Sequence, residues 1–215
     1  MSAQLAADSD ERVRLQRRAL RLEYATIAWN LGEAVFTIGL GVAAGSLALI
    51  GFGTDSIIEV FASSVVVWHV RPGHAVDHPD RTRHALRLVA FAYLGLAAVL
   101  ATASIRDLVT GRRAGESVIG IVYLAATAVV MFSLAVAKRR TATSLGSAPL
   151  RSEATLTFLD GVLSTLTLTG LGLNVLFGWT WADPAAALIV AAAAAAEARM
   201  NLKEAAELDS RARSS

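Results

Sequence analysis

Asp55 and Glu59 stand inside the long apolar stretch from Ser46 to Val70, and their i, i+4 spacing puts both carboxylates on one helix face. A carboxylate near the centre of a bilayer costs about 2.5–3.5 kcal/mol on insertion scales, so two on one face call for a cation, a proton or a basic partner. The chemistry such a pair offers is ion binding. Coordination needs deprotonated oxygens, so protons and a divalent cation compete for the same carboxylates, which is the coupling an antiporter needs.

A third acid, Asp160, lies near the middle of another apolar segment that is rich in hydroxyls: Thr155, Thr157, Ser164, Thr165, Thr167 and Thr169. Hydroxyls that can bond across helices are wasted on lipid, so this segment is expected to be interior. If the two segments face each other, Asp55, Glu59 and Asp160 converge on one cavity and three carboxylates can hold one metal ion. An all-carboxylate set is hard and suits Mn²⁺, Mg²⁺ or Fe²⁺, while the affinity order still lets Zn²⁺ compete. The cargo is therefore expected to be divalent, with Zn²⁺, Mn²⁺ and Fe²⁺ left open. Asn30 and Glu33 share a face of the first apolar segment and are candidates for a proton path or accessory ligands; a plain interhelical hydrogen bond is the other reading of Asn30. All four histidines fall between His69 and His84. Within that stretch His74, Asp77 and His78 are candidates for a cation-gathering loop site, weighed against a solvated connector because Arg71, Arg81, Arg83 and Arg87 oppose a cation.

The elements that must position these residues follow from composition. The 215 residues are 54% hydrophobic with a mean hydropathy of +0.51, against roughly 45–50% apolar residues in a soluble domain. Six segments, 22–43, 46–70, 86–109, 117–137, 150–176 and 184–200, match the requirement of about 20 residues for a membrane-spanning helix. The expected fold is all-α, one polytopic domain of six transmembrane helices over 22–200, with a charged segment 1–21 before it and a short polar tail 201–215 after it. Residues 1–21 show no apolar core with a cleavage site, so the first helix is expected to direct insertion. Of the 20 Lys and Arg residues, all but Arg106, Arg112 and Arg113 fall on one side of this topology, including Lys138, Arg139, Arg140 and Arg151 between the fourth and fifth helices. By the positive-inside rule both termini are cytoplasmic. Trp179 and Trp181 fall at an outer helix end and Trp68 at an inner one, as interfacial belts prefer, whereas Trp29 is expected to pack between helices or on lipid. Arg106 and Asp107 are expected to form a membrane-edge ion pair. The tail is expected to carry no folded domain.

Several classes are excluded or disfavoured. With no cysteine the chain has no disulfide, thiolate metal site or iron–sulfur cluster. No nucleophile, base or cofactor motif is found, so neither an enzyme nor a bound cofactor is expected, and the basic pI needs no nucleic-acid partner.

In this setting the residues resemble the cation diffusion facilitators, or cation efflux family. Ser46-Leu-Ala-Leu-Ile-Gly-Phe-Gly-Thr-Asp55-Ser-Ile-Ile-Glu59 is similar to that family's helix 2 signature, Glu153-Ala154 with Asp160 and Ser164 to its helix 5 signature, and Ala182-Asp183-Pro184 to its helix 6 opening. The resemblance implies a six-helix secondary transporter that exports a divalent metal cation in exchange for protons, with Asp55, Glu59 and Asp160 as metal ligands. It also implies a homodimer in the lipid of a prokaryotic plasma (inner) membrane. Two departures stand out. Leu156 occupies the helix 5 position where the family usually carries a ligating His, and only a short segment follows the sixth helix, where the family usually has a metal-binding cytoplasmic domain. The alternative function is therefore a non-transporting membrane sensor or scaffold that keeps the fold with a degenerate metal site.

Overall fold

The computed structural model of the protein describes residues 2–44, 47–71, 79–111, 118–179 and 181–214. It is all-α, with α1 (Ser2–Ala44), α2 (Leu47–Val70), α3 (Pro79–Thr110), α4 (Val118–Leu145), α5 (Ala148–Phe177) and α6 (Ala182–Ser214). Local chemistry sets several ends. Pro79 opens α3, where its missing N–H costs nothing, and Asp80 in the first turn meets the positive end of the helix dipole. Gly146, at φ 68°, ends α4 in the left-handed conformation that a side chain resists. Ser147 then donates its backbone N–H to the Ala142 carbonyl at 3.1 Å, and its hydroxyl accepts the Leu150 N–H at 3.4 Å, capping α5. This tight turn folds α5 straight back along α4.

The helices pack in a definite order. α1 contacts α2 and α4, and α5 contacts the same two, which closes a ring of four helices; α3 and α6 pack on each other, α3 also lying on α2 and α5 and α6 on α5. Where α1 and α2 meet, a Cβ on Gly53 would stand 2.5 Å from Ile38 Cγ1 and 2.6 Å from Thr37 Oγ1, so only glycine allows that approach. The polarity of the bundle is inverted relative to a soluble protein. Glu23, Asn30, Glu33, Glu59, Ser63, Lys138, Glu153, Thr157 and Asp160 are buried, while Leu31, Val35, Phe36, Phe91, Val122, Val129, Val136 and Ile189 are exposed. That is the distribution lipid demands. Among the described residues three helical stretches are long and apolar enough to cross a membrane, Asp80–Thr110, Val122–Leu145 and Pro184–Arg211. α1, α2 and α5 carry the buried carboxylates instead.

Helix ends differ from the apolar runs in four places. The first span is part of a longer helix, because Ser2 onward belongs to one helix of 43 residues, about 65 Å at 1.5 Å per residue. The polar tail continues the sixth helix, since α6 runs to Ser214. Asp209 accepts from Arg83 and lies 3.4 Å from Arg87, and Glu204 lies 3.5 Å from Arg151, so the end of α6 is held against the starts of α3 and α5. α3 begins seven residues earlier than the apolar run alone indicates. Lys138 is not in a loop. It lies within α4 and is fully buried; the apolar run stops at residue 137 but the helix does not.

Candidate cation site

α5 is interior along the part that matters. From Ser152 to Ser164 only Phe158 is exposed, and Gly161 lets α5 approach Phe132 of α4, whose ring would lie 3.1 Å from an added Cβ. Asp160 projects from this stretch and is nine-tenths buried. Its carboxyl is in side-chain contact with Glu59 of α2 and feels the fields of Asp55 and Glu33. α5 therefore packs on α2 with Asp160 beside Glu59. Asp55 is half-buried at the rim, and Glu59 is 4% exposed.

α1 supplies the rest of the lining. Glu33 is buried and interacts with the Tyr123 hydroxyl of α4 and with Ser56 of α2. Asn30 interacts with Glu59 and donates its amide to the Thr26 carbonyl at 3.1 Å. Trp29 stacks on Tyr123 with ring centroids 6.4 Å apart, so it packs between α1 and α4. Three of the four acids keep an unsatisfied oxygen: Glu33 Oε1, Glu59 Oε1 and Asp160 Oδ2 are buried without a hydrogen-bond partner. Buried carboxylate oxygens are rarely left so. In this conformation no group of three or more His, Cys, Asp or Glu side chains among the described residues is gathered closely enough to hold a metal ion. Leu156, at the position of the family's histidine, is 2% exposed in the apolar core beside Leu159 and Leu163.

About two turns along α5 from Asp160, toward the end of the bundle where Arg151 meets Glu204, lies a second polar cluster. Lys138 Nζ donates to Glu153 Oε1 and Oε2 at 2.6 and 2.7 Å and to Thr157 Oγ1 at 3.1 Å, and lies 3.3 Å from Glu23 Oε2. Ser63 of α2 donates to Glu153 Oε1 at 2.8 Å. The tight α4–α5 turn produces the pairing, since Lys138 and Glu153 are about two turns to either side of it. A basic residue stands near the acids after all, because the buried Lys138 acts electrostatically on Glu59. Sequence reading missed Glu23 as well; its signal is the i, i+7, i+10 spacing of Glu23, Asn30 and Glu33 along one helix face.

The histidine stretch is dispersed. His69 is buried near the end of α2, and His84 Nδ1 lies 2.7 Å from the Asp80 carbonyl oxygen within α3, while the candidates His74, Asp77 and His78 lie outside the described residues. Arg106 and Asp107 form the expected ion pair at 3.0 Å. Trp68 is exposed at the end of α2, with the Arg81 guanidinium 4.2 Å from its ring centroid.

A family model described as the cation efflux transmembrane domain matches residues 24–208. The chain belongs to the cation efflux family. Its members are membrane-integral cation transporters and not enzymes. The match begins within α1, one residue after Glu23, and ends within α6, so it takes in part of all six helices. No curated protein matches the chain.

Proposed function

We propose that this cation efflux protein is a secondary transporter that exports a divalent metal cation in exchange for protons, through the carboxylates between α2 and α5. The observation that carries this reading is the Asp160 carboxyl, nine-tenths buried with Oδ2 unpartnered, against Glu59 and near Asp55 and Glu33. Crowded acids in a low-dielectric interior cannot all be ionised without a counter-charge. A divalent cation supplies that charge when bound, and protons supply it when the cation leaves. Asp55, Glu59 and Asp160 are the proposed metal ligands, Glu33 and Asn30 the accessory or proton-path groups, with small side-chain shifts drawing the ligands together around the ion. The oxygen set suits Mn²⁺ or Fe²⁺, with Zn²⁺ as competitor. The proposed setting is a prokaryotic inner membrane and the proposed assembly a homodimer.

The second reading, a non-transporting sensor or scaffold, is favoured by the apolar environment of Leu156 and by the spread of the carboxylates. Flux separates the two. In proteoliposomes with an imposed pH gradient, the wild type is expected to move at least one of Mn²⁺, Fe²⁺ or Zn²⁺, and Asp160→Asn to lower the rate at least 10-fold while eluting as a folded protein. A folded wild type that moves none of the three under either gradient overturns the transporter reading.

A further inference from the structure

Glu23, Lys138, Glu153 and Thr157 are not absorbed by the site above, although all four are fully buried in the ring. An ammonium has three hydrogens to donate. Around Lys138 Nζ stand four oxygens, two from Glu153, one from Thr157 and one from Glu23, at 2.6–3.3 Å. The donors go to Glu153 and Thr157, and both Glu23 oxygens are left without a hydrogen bond. The cage therefore holds more oxygens than the three ammonium hydrogens reach.

Two further observations place the cage on a path. Thr157 touches both clusters, interacting with Glu59 on one side and accepting from Lys138 Nζ on the other. Glu153, Thr157, Asp160 and Ser164 are buried along one face of α5, so polar side chains recur from the cage to Asp160 and one turn beyond. Hard divalent cations take about six or more oxygens at about 2.0–2.6 Å, so the four oxygens here supply part of such a shell and water completes it. Replacing the ammonium needs a contraction of about half an ångström on the Glu153 side.

We propose that Glu23 and Glu153 form a second divalent-cation subsite on the transport path, in which the Lys138 ammonium is a tethered competitor for the cation. This rests on the transporter reading of the Asp160 site. In the arrangement seen here the ammonium fills the subsite. A cation entering from the end of the bundle that carries Arg151 displaces it from Glu153, then passes along Thr157 to Glu59 and Asp160. The ammonium returns behind it and discourages backflow.

The test is the number of Mn²⁺ ions bound per chain, by titration calorimetry on purified protein in detergent and repeated with Zn²⁺. The wild type is expected to bind one equivalent that Asp160→Asn removes. Lys138→Gln is expected to bind one equivalent more than wild type, the double variant Lys138→Gln/Glu23→Gln to lose that extra equivalent, and Lys138→Arg to match the wild type. Because bare carboxylates can prevent folding, Lys138→Gln is purified with and without each metal; folded protein recovered only with metal supports the subsite. A Lys138→Gln protein that folds and binds no extra equivalent, or that neither metal rescues, overturns it. A wild type lacking the Asp160-dependent equivalent counts against the proposed function, whereas an unchanged count in Lys138→Gln, with that equivalent intact, counts against the subsite alone.

Discussion

Ser63 illustrates what single atoms contribute inside this bundle. Its hydroxyl donates at 2.8 Å to the Glu153 oxygen that also accepts from Lys138 and, at 3.2 Å, from Thr157. A hydrogen bond to a charged group is worth about 1.5–3 kcal/mol, and removing a donor in a buried network leaves the acceptor undersatisfied. Ser63→Ala is therefore expected to destabilise the protein by about 2 kcal/mol, seen as a lower melting temperature in detergent. Ser64→Ala should change little, because its exposed hydroxyl only returns to the Val60 carbonyl. A Ser63 variant as stable as wild type refutes the network's weight. At this scale the sequence was legible where a charge interrupts an apolar run, as Asp55, Glu59 and Asp160 do. It was opaque where a charge stands at the edge of one: Lys138 follows the last apolar residue of its run, and Glu153 and Glu23 each lie near an arginine. Hydropathy assigns such positions to the interface. Only the α4–α5 turn, set by Gly146 and Ser147, brings Lys138 and Glu153 together.

Elements contribute through the distances at which they pack. The face of α2 that carries Gly53 and Ser56 is held against α1 by the absence of a side chain at Gly53, where a Cβ would meet Ile38 and Thr37. Overpacking of this kind costs about 1–3 kcal/mol, and either α1 or α2 must shift to absorb it. Gly53→Val is expected to lower transport in proteoliposomes more than it lowers stability, since the shift moves Asp55 relative to Glu33. Gly39→Val, where an added Cβ meets nothing within 4 Å, should leave transport near the wild-type rate. Equal losses in both variants refute a role for the close approach. On α5, Leu156 sits one turn from Asp160 at the edge of the same face, within the apolar core. Placing an imidazole there is expected to shift the metal preference toward Zn²⁺, the ordinary behaviour of a nitrogen ligand added to an oxygen set, read as the ratio of Zn²⁺ to Mn²⁺ affinity. An unchanged ratio in a folded Leu156→His protein places that side chain outside the coordination sphere. Helix number, order and approximate centres were readable from apolar runs. Helix ends were not, because α1, α3 and α6 continue as charged helices held by packing and by pairs such as Arg83 with Asp209, which no hydropathy window registers.

For the whole molecule, the informative asymmetry is between the two ends of the bundle. One end gathers Asp80, Arg83, Arg151, Glu204 and Asp209, joined by ion pairs across α3, α5 and α6. The other carries the left-handed glycines Gly111 and Gly178 that close α3 and α5, with the stacked Trp179–Trp181 pair. Surface ion pairs are worth about 0–1 kcal/mol each, so the charged end is held by several weak links and not by one strong one. Asp209→Ala is expected to leave the melting temperature nearly unchanged while raising amide exchange along the last turns of α6. If exchange there stays at the wild-type level, helix packing holds the tail without Asp209. The same asymmetry predicts orientation. Positive charge is retained on the cytoplasmic face, so the Asp209 end should face the cytoplasm and the Gly111 end the opposite side. The chain has no cysteine, which leaves a clean background for single-cysteine labelling with a membrane-impermeant maleimide in intact cells. A cysteine at Thr110, exposed at the end of α3, should react before lysis, and one at Ser210, exposed on the last turns of α6, only after it. The reverse pattern would turn the bundle over and place the Lys138 cage at the exit of the path instead of its entrance, converting the proposed exporter geometry into one suited to uptake.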